Sequence, residues 1–346
     1  MTRTRLTLIL AGFSAATLTL AACGGSSDSA DTTAPEDGLS VVATTTILGS
    51  VAGDIATCAG GSVTTLMPIG ADPHDFTPSS AQVAQIVGAD VVIANGLGLE
   101  EGLADALSSA VADGAEVIEV AELVDPIEFG AGGHSHEDEA HEDEDHADED
   151  HADEGDDHSH DEAKEDDHDH GSLDPHFWFD MNRMADAAVI IGDDLAELGG
   201  PAYAECGQRV AEEIRAAEAE VAALLESVPA DKRILITDHD ALGYLADAYG
   251  YEVAGVVIPG GSTLAEPSSA ELRALVELIE AEGVPAIFAN TADPTTLADA
   301  VAAEAGENVE VVVLYVGSLG EPGSGADTYV SMMLTDARLI AEALRN

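Results

Sequence analysis

Three histidines pose the chemical question. The chain of 346 residues has twelve, nine of them crowded between His134 and His170, so that only His74, His176 and His239 stand alone. Imidazole binds transition metals through a neutral ring nitrogen, at about 2.0–2.1 Å for zinc. Any one of these residues by itself is more often a hydrogen-bonded structural or surface residue than a ligand. Their joint placement points to metal binding, because each follows a segment that reads as a β-strand, and open α/β sheets hold ligands beyond the carboxyl ends of their strands. Three neutral nitrogens favour Zn²⁺ over Mn²⁺ or Mg²⁺, which prefer oxygen donors.

The elements that must position these residues are legible as two alternating runs. Leu39–Ala43, Val63–Met67, Asp90–Ala94 and Glu116–Val120 are short and β-branched and predict strands; Leu48–Thr57, Ser80–Val87 and Glu101–Val111 carry helical spacing between them. Helices are predicted over 181–198 and, longer, over 201–226, where Pro201 suits a first helical turn. The pattern then restarts: Arg233–Thr237, Glu252–Val257, Ala286–Ala289 and Glu310–Val316 predict strands, and a last helix covers 328–344. Leu272, Leu275, Val276 and Ile279 recur at helical spacing within 268–282, one buried stripe. The expected fold is therefore α/β, two lobes of βα units with mostly parallel sheets joined by a long helix, the metal site lying in the cleft between them. Lobe one spans 39–200, the linking helix 201–228 and lobe two 229–346. No internal sequence repeat supports a duplication.

Charge narrows the function classes. With 68 Asp and Glu against 11 Lys and Arg, a net charge of −57, the chain repels phosphate backbones and anionic lipid surfaces, which excludes nucleic acid as a partner. It attracts cations instead. The most acidic stretch, 134–170, holds twenty Asp or Glu, one lysine (Lys164) and no Leu, Ile, Val, Phe, Tyr, Trp or Met. Ordering such a backbone costs about 1–2 kcal/mol per residue with no apolar burial to offset it, so a solvated surface loop is expected. Its histidines, His134, His136, His141, His146, His151, His158, His160, His168 and His170, form an accessory metal set, weaker than a preformed site because each binding event must order the chain. The plainer reading is a solvated insertion with incidental metal affinity.

The N-terminus reads as an address. Arg3 and Arg5 precede an uncharged run from Leu6 to Ala22, the order of a secretory signal and too short and diluted for a spanning helix. Leu20, Ala21, Ala22 and Cys23 resemble a bacterial lipobox, which implies cleavage after residue 22 and lipidation of Cys23, with 23–38 as a polar tether. That leaves Cys58 and Cys206, in an oxidising compartment, as an expected disulfide, with two separately buried thiols as the alternative.

Six motifs in order identify a resemblance. VVATTTI (41–47), GADPHDFTP (70–78), ADVVIANGLGLE (89–100), DPHFWFD (174–180), DHDALGYLADAY (238–249) and DTYVSMM (327–333) are similar to the zinc and manganese solute-binding lipoproteins of ABC importers. The resemblance implies a rigid backbone helix between the lobes, His74, His176 and His239 as metal ligands, an ABC permease as partner and a monomer anchored through acylated Cys23 to the outer face of the bacterial cytoplasmic membrane. One position departs. Where the family often places a fourth, carboxylate ligand this chain has Gly317, so three histidines completed by water, a loop histidine or an unplaced carboxylate such as Glu321 are expected. Asp180, Asp238 and Asp240 are candidates to accept imidazole N–H groups, with surface or capping roles as the alternative, while Trp178, Met332 and Met333 read as packing.

Capture of extracytoplasmic Zn²⁺ for an ABC importer is the leading expectation, with Mn²⁺ or another divalent metal, or an adhesin of the same family, as alternatives. A hydrolase built on three histidines and an open zinc position is the reading from a different class. No HExxH helix and no placed general base support it.

Overall fold

The computed structural model describes residues 39–130 and 173–345. The expected signal segment, the expected tether with Cys23 and the histidines from His134 to His170 lie outside the described residues. Hydrophobic alternation explains the layers. In the first sheet Val41 and Ala43 of β1 (Val41–Ala43) and Val91 and Ile93 of β3 (Val91–Ala94) face one core, whereas Val42 and Val92 face the other side. Both faces of a parallel sheet are thus covered, as crossover helices require.

With β2 (Val63–Thr65) and β4 (Glu116–Glu119) the first sheet has the order β2-β1-β3-β4, all parallel. The helices between its strands are α1 (Thr46–Ala59), α2 (Ser80–Val87) and α3 (Ala104–Asp113). Thr45 caps α1 by accepting the Leu48 N–H, and Ser79 with Gln82 forms a reciprocal capping box on α2. The helix predicted from Glu101 starts as a separate 3-10 turn over Glu101–Leu103, where Gly102 lies against the Phe76 carbonyl and leaves no room for a side chain. After β4 the chain reaches Glu128, which bridges antiparallel to Leu173.

Two long helices follow, α4 (Met181–Gly199) and α5 (Ala202–Glu226). At 25 residues α5 runs about 37 Å. The pair touch backbone to backbone, because a Cβ on Gly192 would lie 2.8 Å from the Gly207 Cα. A disulfide between Cys58 of α1 and Cys206 of α5, with Cα atoms 5.8 Å apart, fastens the first lobe to the long helix.

The second sheet comprises β5 (Ile234–Thr237), β6 (Glu252–Val256), β7 (Ala286–Asn290) and β8 (Glu310–Leu314) in the order β6-β5-β7-β8, again all parallel. The strand order of the first sheet is repeated, a kinship of topology that the amino acids do not display. Here α6 (Gly243–Tyr249), α7 (Ser269–Glu282) and α8 (Thr296–Ala305) connect the strands, and α9 (Tyr329–Arg345) ends the fold. The strand predicted to Val316 stops at Leu314, because the Tyr315 N–H turns out of the ladder to donate to Asp336 Oδ1. One hydrophobic core joins the inner faces of both sheets, with Ile93, Ile191, Ile214, Leu235, Phe288 and Ile340 all in it. Smaller cores fill the outer faces, beneath α2 and α3 and beneath α7 and α8.

Candidate metal centre

Each isolated histidine sits in a turn directed by a carboxylate. His74 follows β2 in the triplet Asp72-Pro73-His74, where Asp72 Oδ1 accepts the His74 N–H at 3.1 Å. His176 ends the triplet Asp174-Pro175-His176, and Asp174 Oδ1 accepts its N–H at 2.9 Å. His239 directly follows β5, and Asp238 Oδ1 accepts its N–H at 2.8 Å. The turns bring the three rings together at centroid separations of 5.3, 5.5 and 5.3 Å.

One nitrogen from each ring lies within 4.8 Å of the others, and His74 Nε2 is 3.2 Å from His176 Nε2. A tetrahedral zinc ion at ordinary zinc–nitrogen distances sets its donors about 3.3 Å apart. The His74–His176 pair matches that spacing. Two of the rings are held from behind: His176 Nδ1 faces Asp174 Oδ1 at 2.8 Å, and His239 Nδ1 donates to Asp238 Oδ1 at 2.9 Å. These contacts turn the Nε2 atoms inward, the arrangement that fixes tautomer and raises donor strength in metal sites.

The supports are themselves anchored at the ends of the central strands. Asp238 Oδ2 accepts the Asn290 N–H at the end of β7, 2.6 Å away. Beyond β3, Asn95 Nδ2 donates to the Pro175 carbonyl at 2.9 Å and so braces the His176 turn. Glu100 in turn accepts the Asn95 N–H, the Gly96 N–H and the Thr44 hydroxyl.

Burial lowers two of the three rings. It drives His74 down to about 3, with repulsion from His176 and His239 added, and holds His176 well below its ordinary value. Burial also opposes charge on His239, but the hydrogen bond and charge of Asp238 outweigh it and raise that ring. Asp174 is pushed by burial up to about 8, against the pull of the His176 N–H that it accepts and of His239. Metal binding needs neutral, unprotonated Nε2 atoms, so the lowered His74 and His176 rings are ready donors. Around this centre Asp240 and Asp293 are pushed up to about 6, by burial first and then by Asp174 and Asp72 respectively. Crowded carboxylates of this kind create a field that draws cations.

Among the described residues no carboxylate joins the three rings in a common donor group. Glu321 is exposed in the loop before α9. At Gly317 a Cβ would lie 2.8 Å from Pro73 Cδ, so the side chain missing there could not be added without moving the neighbouring turn. Of the three aspartates singled out from sequence, Asp238 meets an imidazole, whereas Asp180 caps α4 by accepting the Asn182 and Arg183 N–H groups. Asp240 contributes its own N–H to the Gly260 carbonyl. Asp174 and Asn95 escaped sequence reasoning. The signal for Asp174 was the repeated Asp-Pro-His triplet at 72–74 and 174–176. Trp178 is buried with its Nε1 donating to the Val316 carbonyl, and Met332 and Met333 are buried in the shared core.

The family model described as ZnuA, zinc-uptake complex component A, periplasmic, matches residues 41–343. The zinc-binding protein TroA of Treponema pallidum is 29% identical over 321 residues, covering 90% of this chain and 91% of TroA. The manganese-binding lipoprotein MntA of Halalkalibacterium halodurans is 25% identical over 321 residues, covering 91% and 92%. Among solved structures, periplasmic zinc binding protein TroA aligns with a TM-score of 0.71 at 25% identity over 89% of this chain and 100% of its own. The Cd-bound periplasmic metal binding protein of Candidatus Liberibacter asiaticus, 22% identical, shares the fold with a TM-score of 0.68 over 88% and 99%.

Proposed function

This chain belongs to the ZnuA family of periplasmic metal-binding proteins that serve ABC importers, and from that premise we propose that it captures Zn²⁺ with His74, His176 and His239 and hands it to the importer's permease. The observation that carries the reading is the convergence of three buried imidazoles, two of them turned inward by carboxylates. The family carries a solute, and no reaction is assigned to the site. The ion is cargo.

Kinship alone does not choose the metal, since one relative is named for zinc and another for manganese. The donor set supports zinc: three nitrogens, Gly317 where a carboxylate would bring oxygen, and Pro73 filling the adjacent space. Water completes the coordination in this reading. The chain acts outside the cytoplasm as a monomer, tethered to the outer face of the membrane by lipidated Cys23. No described helix is long and apolar enough to cross a membrane.

Isothermal titration with Zn²⁺ and Mn²⁺, paired with anomalous scattering at the zinc edge, tests the proposal. Zinc should bind at least tenfold more tightly than manganese, and the anomalous peak should fall among the three Nε2 atoms. Deleting 134–170 should leave this binding intact. Tight zinc binding that survives replacement of all three histidines by alanine would refute the assignment.

A further inference from the structure

The three rings are unequally enclosed. His176 and His239 are 1% exposed and His74 is 6% exposed. His74 also lines a cavity of about 320 Å³ whose walls include Phe129 and Pro175 from the first lobe and Gly261 and Ser262 from the segment between β6 and α7. The cavity therefore meets the centre at His74, beside Gly261 and Ser262.

Elsewhere the lobes are held by their interior. The shared core spans both sheets, and buried hydrogen bonds cross between them: the Leu319 N–H donates to Thr46 Oγ1 at 2.9 Å, and the Tyr244 hydroxyl to the Asp174 carbonyl at 2.8 Å. Parting the lobes as rigid bodies would expose apolar surface at roughly 25 cal/mol per Å². The 258–266 segment is held more lightly. Its root is fixed where the Ile258 N–H donates to the Asp238 carbonyl and the Asp240 N–H to the Gly260 carbonyl. Beyond that root Leu264, Ala265 and Glu266 are exposed.

Two contacts close the segment onto the first lobe. The Phe129 ring lies directly on Gly261, occupying the space where any side chain would project. The Thr263 hydroxyl donates to Asp72 Oδ2 at 2.5 Å. Asp72 Oδ1 meanwhile accepts the His74 N–H at 3.1 Å. One carboxylate thus joins the turn that presents His74 to the segment that roofs it.

We propose that metal enters and leaves beneath residues 258–266, and that Thr263 is the positioning residue that holds this segment shut by hydrogen-bonding to Asp72. The inference rests on His74 being a ligand. A hydroxyl-to-carboxylate bond is stronger than a neutral one and is lost without any change of side-chain shape when threonine becomes valine. The lobes need not separate for exchange to occur.

The test uses the zinc-loaded full chain mixed with excess chelator, with release followed by the chelator's absorbance. Thr263→Val should release zinc about tenfold faster than the native chain, and Thr263→Ser, which keeps the hydroxyl, should stay within about twofold of native. Equal rates for the native chain and Thr263→Val overturn the proposal. So does a Thr263→Ser variant as fast as Thr263→Val, because keeping the hydroxyl would then not keep the segment shut. Hydrogen exchange on the zinc-loaded proteins reads the segment itself: Thr263→Val should lose protection at 258–264 while β5 and β7 keep theirs, and unchanged protection also overturns it. Zinc affinity unaffected by His74→Ala would overturn the ligand assignment and the gate together, whereas a null Thr263→Val result beside a damaging His74→Ala overturns the gate alone.

Discussion

Asp72 and Asp174 stand in the same position, two residues before a histidine in an Asp-Pro-His triplet, and accept the same backbone N–H, yet each turns its carboxylate to a different use. Asp174 folds back on its own histidine, with Oδ1 facing both the N–H and Nδ1 of His176. Asp72 gives one oxygen to the His74 N–H and sends the other across to Thr263. The shared turn is local chemistry. The divergence is set by what each triplet packs against.

The carboxylates behind the rings should matter to binding nearly as much as the rings. Replacing Asp174 or Asp238 by Asn keeps the shape and removes the carboxyl oxygen that faces Nδ1. Each change should weaken zinc binding about 10- to 100-fold, measured by isothermal titration at pH 7.5. Thermal unfolding of the metal-free variants should move much less than the affinity does.

Gly317 should resist restoration of a carboxylate. Gly317→Asp places a Cβ 2.8 Å from Pro73 Cδ, an overpacking that costs about 1–3 kcal/mol in metal-free urea unfolding. Adding Pro73→Ala to that variant should recover part of the loss and raise manganese affinity relative to zinc. Competition titration of the two metals reads the outcome.

Asp336 should make the fold less stable as pH rises. It is buried with Oδ1 accepting the Tyr315 N–H and Oδ2 without a partner among the described residues, and burial pushes it up to about 7. In the unfolded chain it titrates near its ordinary value of 3.8. Between these two pH values the folded state binds more protons, so stability falls from about pH 4 to about pH 7 and the full cost stands above that. Asp336→Asn removes the titration. Its urea midpoint should change less than the native one between pH 5 and pH 8, with the variant gaining on the native chain at pH 8.

The disulfide should contribute to stability through the unfolded chain. Cys58 and Cys206 are 148 residues apart, and closing so long a loop has a chain-entropy ceiling of about 5 kcal/mol, with about 2–4 kcal/mol typical. Changing both to serine should lower the unfolding free energy by an amount in that range. Alkylation of the unfolded, unreduced protein should modify neither residue, as read by mass spectrometry.

Much of this was legible along the chain. The short β-branched run ending in Val41, Val42 and Ala43 and the stripe of Leu272, Leu275, Val276 and Ile279 are short-range patterns, and each forms the element its spacing predicts. What the chain did not disclose is which nearby acid serves which histidine. Asp174, Asp180 and Asp240 all lie within a few residues of a ring, and only turn geometry sends Asp174 to Nδ1 and Asp180 to the start of α4. The repeat of one strand order in both sheets was likewise hidden, because topology survives changes of side chain that erase similarity.

By itself the amino-acid sequence determined the donor chemistry, the parallel βα layout and the excess of negative charge, since these depend on residue type and on neighbours a few positions away. Tertiary structure alone decided that imidazoles 102 residues apart, His74 and His176, come within 3.2 Å, and that Thr263 meets an aspartate 191 residues before it. Contacts of that kind are fixed by how a shared core packs two sheets together, and packing is a property of the whole fold.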